Sequence, residues 1–207
     1  DIEERYNIAM PEVMEVLTDD LCSSIGSLTN SLKIANTLKS VRNIDVNSQT
    51  ISAYLNYLEE SFLFNEAKRF DVKGKKYFSY PSKFYCTDMG LRNARLNFRQ
   101  QEETHIMENI IYNELLARGY SVDVGVVQIA AVGADGKQHQ TQCEIDFVVN
   151  DGMNKYYIQS ALNIDDKNKE KTELRSLLST RDFFKKVVIT KTRMKPWVDD
   201  NGIFHIG

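Results

Sequence analysis

The stretch Gln142-Cys143-Glu144-Ile145-Asp146-Phe147-Val148-Val149-Asn150-Asp151-Gly152-Met153-Asn154-Lys155-Tyr156-Tyr157-Ile158-Gln159-Ser160-Ala161-Leu162 decides the fold. Two runs rich in β-branched and aromatic residues flank Asp151-Gly152, a dipeptide suited to a tight hairpin because glycine accepts positive φ. Strands are therefore predicted from Gln142 to Val149 and from Lys155 to Leu162. Upstream, the Gly133-Ala134-Asp135-Gly136-Lys137 turn separates the first of these from a strand around Ser121 to Ala131, and a helix from Thr104 to Arg118 precedes both. Downstream, a polar helix from Asp165 to Ser179 leads to Lys186-Val187-Val188-Ile189-Thr190, a short apolar run of the kind covered on both faces of a parallel sheet. The predicted order is helix, three strands, helix, strand.

The preceding half reads differently. Between Ile2 and Ile25, apolar Ile8, Met10, Val13, Val16, Leu17 and Leu21 recur at helical spacing, with Pro11 tolerated in a first turn. Leu32, Ile34, Ala35 and Leu38 give a short amphipathic helix. After a loop from Val41 to Asn47, Ser48-Gln49-Thr50 opens a second helix whose face is Ile51, Tyr54, Leu55 and Leu58. Two such helices joined by a short connection form a helix-turn-helix. Phe62-Leu63-Phe64, a basic turn at Asp71-Val72-Lys73-Gly74-Lys75-Lys76, an aromatic strand through Tyr77 to Tyr80 and the run Lys83 to Cys86 follow, and together they read as a wing. Gly90-Leu91-Arg92-Asn93 is read as a closing turn, and Arg95 to Glu103 as a linker. The expected organisation is a helical lead-in at 1–28, a winged-helix domain at 29–95 and an αβββαβ domain at 96–207, in the α+β class.

Composition excludes several classes. Of 207 residues, 42% are hydrophobic, 27% are charged and three are prolines, the balance of a folded globular chain rather than a disordered or fibrous one. No apolar run approaches the roughly 18 residues a membrane span needs. Cys22, Cys86 and Cys143, odd in number and widely spaced, fit neither a disulfide framework nor a zinc site, so reduced thiols and a cytoplasmic location are expected. The chain starts at Asp1, which reads as a piece of something longer. The formal charge of −3 is unevenly spread: residues 1–28 carry one Arg against seven acids, and residues 29–95 carry eleven Lys and Arg against six acids.

The αβββαβ order is the core of the PD-(D/E)XK nuclease fold. Sites of that kind hold a divalent cation between an acid on the second strand and a (D/E)-X-K pair on the third, often with a Glu from the first helix. The metal activates water and the lysine steadies developing phosphate charge. Here the corresponding positions are Glu108, Asp146, Gln159 and Ala161, with Glu144 as an additional metal-ligand candidate. Ala161 can neither position nor polarise a phosphate. Lys155 shares its strand face but lies six residues away, about 20 Å, too far to substitute. Neither catalysis nor a metal is therefore expected. His105, His139 and His205 have no second ligand at helical spacing and read as surface or capping residues. Ser23, Ser24 and Ser160 lack a base partner, Trp197 anchors a terminal loop, and Asn109 is read as a cap or a brace for the third strand.

Several stretches together carry a resemblance: Leu32-Lys33-Ile34-Ala35, Thr50-Ile51-Ser52-Ala53-Tyr54-Leu55-Asn56-Tyr57-Leu58-Glu59, Lys83-Phe84-Tyr85-Cys86-Thr87-Asp88-Met89-Gly90-Leu91, Met107-Glu108-Asn109-Ile110-Ile111-Tyr112-Asn113-Glu114-Leu115, the Glu144-to-Val149 run and Tyr156-Tyr157-Ile158-Gln159. Taken in order, they resemble the C-terminal region of prokaryotic AAA-type ATP-binding proteins, in which a P-loop ATPase domain is followed by a winged helix and a restriction-endonuclease-like domain of unknown function. The chain contains no GxxxxGK[ST] loop, so the resemblance places ATP and Mg²⁺ in an upstream domain. Many members carry an E-V-K-like triplet where Gln159-Ser160-Ala161 stands.

Two functions follow as expectations. The first is nucleic-acid binding, with Lys68, Arg69, Lys73, Lys75, Lys76 and Lys83 reaching phosphates while Gln49, Ser52 and Asn56 face a DNA groove. Against it, that helix presents no Arg or Lys for a bidentate base contact, and Glu59-Glu60 repels phosphate. The second treats both domains as protein-interaction modules controlling the ATPase. DNA and the upstream ATPase domain are the expected partners, a membrane is not, and self-association into a homo-oligomer stays open.

Overall fold

The computed structural model describes residues 2–132, 138–163 and 174–207 of the chain, which is α+β and divides into two compact units. Residues 1–67 and 80–109 make the first, and residues 68–79 and 110–207 the second. The Gly133-to-Lys137 turn and the greater part of the helix expected from Asp165 lie outside the described residues; 174–178 are helical.

The first unit is mainly helical. The expected lead-in is two helices, α1 (Ile2–Tyr6) and α2 (Pro11–Ser23), with Pro11 at the start of the second. Helices α3 (Ser31–Arg42) and α4 (Ser48–Glu60) follow, each opened by an asparagine: Asn30 accepts a hydrogen bond from the Lys33 amide at 2.8 Å and Asn47 one from the Thr50 amide at 2.7 Å. Ile34 and Leu38 of α3 and Ile51, Tyr54, Leu55 and Leu58 of α4 turn inward onto Val13, Leu17 and Leu21 of α2. Leu32, assigned by spacing to that apolar face, is instead 60% exposed. Strand β1 (Phe64–Ala67) pairs with a later strand, Lys83–Cys86, in an antiparallel two-stranded sheet.

The residues between those two strands depart from the expected wing. β2 (Arg69–Asp71) and β3 (Lys76–Tyr77) form a hairpin whose β2 pairs in parallel with β5 (Ser121–Val132) of the second unit, leaving β4 (Lys83–Cys86) as the one strand paired with β1 among the described residues. The physical reason is pairing: Arg69 to Asp71 lie in register with Val124 to Val126, and Phe70 packs against the second unit's core. The Gly90 segment is not a closing turn either. Asp88 accepts hydrogen bonds from the Gly90 and Leu91 amides at 2.7 and 3.0 Å and so caps a helix, α5 (Met89–Arg95). Residues 96–102 lead to α6 (Glu103–Ala117).

The second unit is built on an eight-stranded mixed sheet ordered β3-β2-β5-β6-β7-β8-β10-β9. Its centre matches the sequence reading, with β6 (Gln138–Asp151) antiparallel to both β5 and β7 (Asn154–Ala161), and β8 (Lys185–Thr190) parallel to β7. Ile145, Val148, Tyr157, Leu177, Val188 and Ile203 form its core. At Gly125, where the β5–β6 register shifts, a Cβ would approach Val148 Cγ2 to 2.8 Å and Ile145 Cβ to 2.9 Å, so only glycine lets the strands meet there. The expected terminal loop contains two further strands, β9 (Trp197–Val198) and β10 (Phe204–Ile206), the latter parallel to β8. Trp197 stacks on His205 at 4.4 Å, and His205 is fully buried rather than a surface residue.

Candidate functional site

The residues expected to match a nuclease separate into the two units. Glu108, on α6, belongs to the first, where its carboxylate accepts hydrogen bonds from Lys83 Nζ at 2.9 Å and Tyr85 OH at 2.6 Å. This pair is nearly dry, with side-chain exposures of 5% for Lys83 and 12% for Glu108. Lys83 therefore does not contribute to a solvent-facing phosphate site, because its charge is committed inside the fold. Asn109, the next residue on the helix, accepts from the Cys86 amide at 2.9 Å and donates to the Cys86 carbonyl at 2.8 Å. It braces β4, not the third strand of the second unit.

Asp146, Gln159 and Ala161 lie on the neighbouring strands β6 and β7, and all three are buried. Asp146 Oδ2 accepts from the Ser160 amide and from Ser160 Oγ, both at 2.7 Å, and the Asp146 amide donates to Gln159 Oε1 at 3.4 Å. Ser160, set aside as a nucleophile, is thus the hydroxyl partner of Asp146. An acid and a serine on adjacent antiparallel strands are the signal that could have found it. Ala161 packs with Leu177 and Val188 in the apolar core. Glu144 lies half-buried on β6, opposite Val126. Among the described residues no group of three His, Cys, Asp or Glu is placed to hold a metal ion.

The basic residues expected on the wing map to the hairpin of the second unit. Lys68, Lys73, Lys75 and Lys76 are exposed. Asp71, buried at the turn, accepts from the Lys73 and Gly74 amides at 3.1 and 2.9 Å and fixes their presentation. Arg69 donates to Gln142 Oε1 at 3.0 Å and lies over the Phe78 ring, and Lys73 Nζ donates to the Gln128 carbonyl at 2.8 Å. Tyr77 OH donates to Asp123 Oδ2 at 2.9 Å; burial, then this contact, pushes the phenol up to about 12.

Gln49, Ser52 and Asn56 do share one face of α4, where with Asn30, Ser31, Leu32 and Tyr80 they line a shallow groove of about 620 Å³. With residues 68–79 assigned to the second unit, the unit that holds this groove carries eight Lys and Arg against fifteen Asp and Glu, a net −7. The second unit carries eighteen against fourteen, a net +4. Two of the first unit's cations besides Lys83 are also spent internally. Arg92, 1% exposed, donates to the Cys22 and Gln100 carbonyls at 2.9 and 2.7 Å, and Arg95 pairs with Asp19 and Glu15.

Cys22 and Cys86 are buried in this unit and neither is in a disulfide. A hydrogen bond shared with Cys86 and burial push the Cys22 thiol up, away from the reactive thiolate.

The arrangement therefore defines a mixed α+β protein with an acidic helical unit and a strand-rich, mildly basic one, and with no group of three His, Cys, Asp or Glu placed to hold a metal among the described residues. The model of a domain of unknown function (DUF8612) matches residues 1–102, ending one residue before α6. The chain is 36% identical over 190 residues to an uncharacterized protein of Haemophilus influenzae (strain ATCC 51907 / DSM 11121 / KW20 / Rd); the match covers 92% of this chain and 43% of that protein. The chain thus spans less than half the length of the curated relative it matches. No solved structure matches. Among the described residues, no helix is long and apolar enough to cross a membrane.

Proposed function

We propose that this chain is a non-catalytic accessory region of a larger bacterial AAA-type ATPase, located in the cytoplasm, and that its first unit makes protein contacts that regulate or assemble the ATPase. In this reading α3, α4 and the β1–β4 pair are a winged helix. The order α6, β5, β6, β7, helical residues 174–178 and β8 is a nuclease-like fold kept without its chemistry. ATP and Mg²⁺ belong to the ATPase domain, outside this chain.

The observation that carries the reading is the sign of the first unit's charge. Binding to nucleic acid is driven by neutralising phosphates with Lys and Arg, and the net −7 of this unit opposes that, while Lys83 and Arg92 are buried. A protein partner carries no such requirement. A titration with duplex DNA at two salt concentrations tests it, with no binding through α4 expected at either. Removing the segment matching residues 1–102 from the longer protein is expected to change its rate of ATP hydrolysis.

A second reading, contact with DNA through the second unit, is favoured by exposed Lys73, Lys75 and Lys76 on a rigid turn. Replacing the three with Glu would abolish such binding and leave the fold intact, since exposed positions usually change stability by no more than about 0.5 kcal/mol. DNA binding that survives this triple variant but is lost on Gln49→Glu with Asn56→Glu would place the duplex on α4 and overturn the protein-contact reading.

A further inference from the structure

Within the first unit, α4, the segment before α3 and the strands β1 and β4 enclose a cavity of about 120 Å³, which shares Ser52, Asn56 and Tyr80 with the shallow groove. Two carboxylates, Glu59 from α4 and Glu66 from β1, line it. The Glu66 backbone amide donates to Glu59 Oε1 at 3.4 Å, which ties the Glu59 carboxylate to β1 beside Glu66. Neither pairs with a Lys or Arg among the described residues. Ser82 lines the same cavity; it is 2% exposed and its Oγ has no hydrogen-bond partner, although its backbone is locked to Thr29 by two hydrogen bonds of 2.9 and 3.0 Å.

A buried hydroxyl without a partner is costly unless a ligand completes it. Ser82 Oγ can accept a hydrogen bond from a group that enters the cavity, and the two carboxylates among its lining residues favour a cationic donor. Leu55 and Phe84 supply apolar wall for an aliphatic stem, and the Tyr80 ring, 62% exposed, stands where a cation can stack on it. We propose that this cavity receives an arginine side chain from a segment of a protein partner. Arginine meets the requirement because its planar guanidinium presents five donors in a fixed fork and stacks on aromatic faces, whereas lysine is a hydrated point charge. An anion is unsuited, since Glu59 and Glu66 repel it and Asn30 and Asn47 already occupy one amide each at the nearby helix starts.

The inference rests on the protein-contact reading of this unit. It is tested on the whole chain with a fluorescein-labelled Gly-Ser-Arg-Ser-Gly amide, compared with the same peptide bearing citrulline, arginine's neutral isostere. The arginine peptide is expected to bind in a salt-sensitive way, and the citrulline peptide at least about tenfold more weakly, the scale of one lost charge-assisted contact. Glu59→Gln and Glu66→Gln are each expected to weaken the arginine peptide about tenfold, with circular dichroism unchanged, while Glu12→Gln, a control on α2, leaves it alone. Equal binding of the two peptides, no loss in the Glu59 and Glu66 variants, or an equal loss in Glu12→Gln would overturn the cavity as an arginine site. So would no binding of the arginine peptide in the millimolar range; without DNA binding on α4, that result leaves the protein-contact reading standing. Displacement of the peptide by duplex DNA, lost in Gln49→Glu with Asn56→Glu, would overturn both.

Discussion

At Lys83, a charge that the sequence assigns to a phosphate-binding surface becomes one half of a buried pair with Glu108, which also accepts from Tyr85. Two ions taken from water cost several kcal/mol each, and their attraction offsets this only with good geometry and further hydrogen bonds. Removing one member is therefore worse than never having had the pair. Lys83→Ala is expected to destabilise the protein by about 3–5 kcal/mol, and Lys83→Met with Glu108→Leu by much less. Urea denaturation of both variants reads the difference, and a loss under 1 kcal/mol in the single variant would show that water still reaches Glu108. Asp199 gives the complementary test with pH. Burial pushes its carboxyl up, but amide donors from Ile203 and Asn201 and the His205 ring outweigh this and hold it below the ordinary carboxylate value. A folded-state value below the unfolded one contributes stability that is present above the unfolded value and lost as pH falls through the folded one. Asp199→Asn should thus narrow the stability difference from the parent in acid below about pH 4 and show its full deficit at neutral pH, measured by thermal unfolding across that range.

At the scale of elements, α3 and α4 are each begun by an asparagine whose side chain satisfies one of the orphan amides of the first turn. Asn47→Ala should cost about 1 kcal/mol, and Asn47→Asp next to nothing, since aspartate caps equally well. Chemical denaturation checks both, and equal losses in the two would mean that the cap is not what the residue contributes. The same scale shows what could be read in advance. The strands of residues 121–161 declared themselves through runs rich in β-branched and aromatic residues and the Asp151-Gly152 turn, and α3 and α4 through 3.6-residue periodicity. The hairpin at 69–77 was legible by its basic turn, but its pairing was not, because a three-residue strand has no period to read and its partner, Val124 to Val126, lies far along the chain. β9 and β10 are too short for the same reason. The α5 helix was hidden by Gly90, which suggested a turn, although Asp88 before it was the legible cap. Of the candidate site, the polar face of α4 was readable, while the cavity beside it was not. Glu59, Glu66 and Ser82 meet there only because β1 pairs with β4 across the inserted hairpin.

For the whole molecule, the sharpest expectation is that the chain does not cleave DNA or RNA with Mg²⁺ or Mn²⁺. Metal-dependent hydrolysis needs carboxylates free to hold the cation and a positive group where phosphate charge develops. On β7 the two positions that the sequence compares with a nuclease's acid and lysine hold neutral Gln159 and Ala161, the latter packed among Leu177 and Val188. Asp146, the acid on the second strand, has one oxygen engaged twice by Ser160. Glu108 is bound to Lys83 and Tyr85 in the first unit. Loss of a single electrostatic contact to a transition state typically lowers the rate by about 10² to 10³, and groups acting as a unit need not lose rate additively. Plasmid, single-stranded DNA and RNA incubated with the purified chain and either metal should stay intact. Introducing an acid and a lysine by Gln159→Glu with Ala161→Lys is not expected to create activity, because the new ammonium would have to enter the apolar core at a cost of several kcal/mol. Metal-dependent cutting by the parent chain that disappears in Asp146→Ala would contradict this, and would mean that Asp146 releases Ser160 to take a cation.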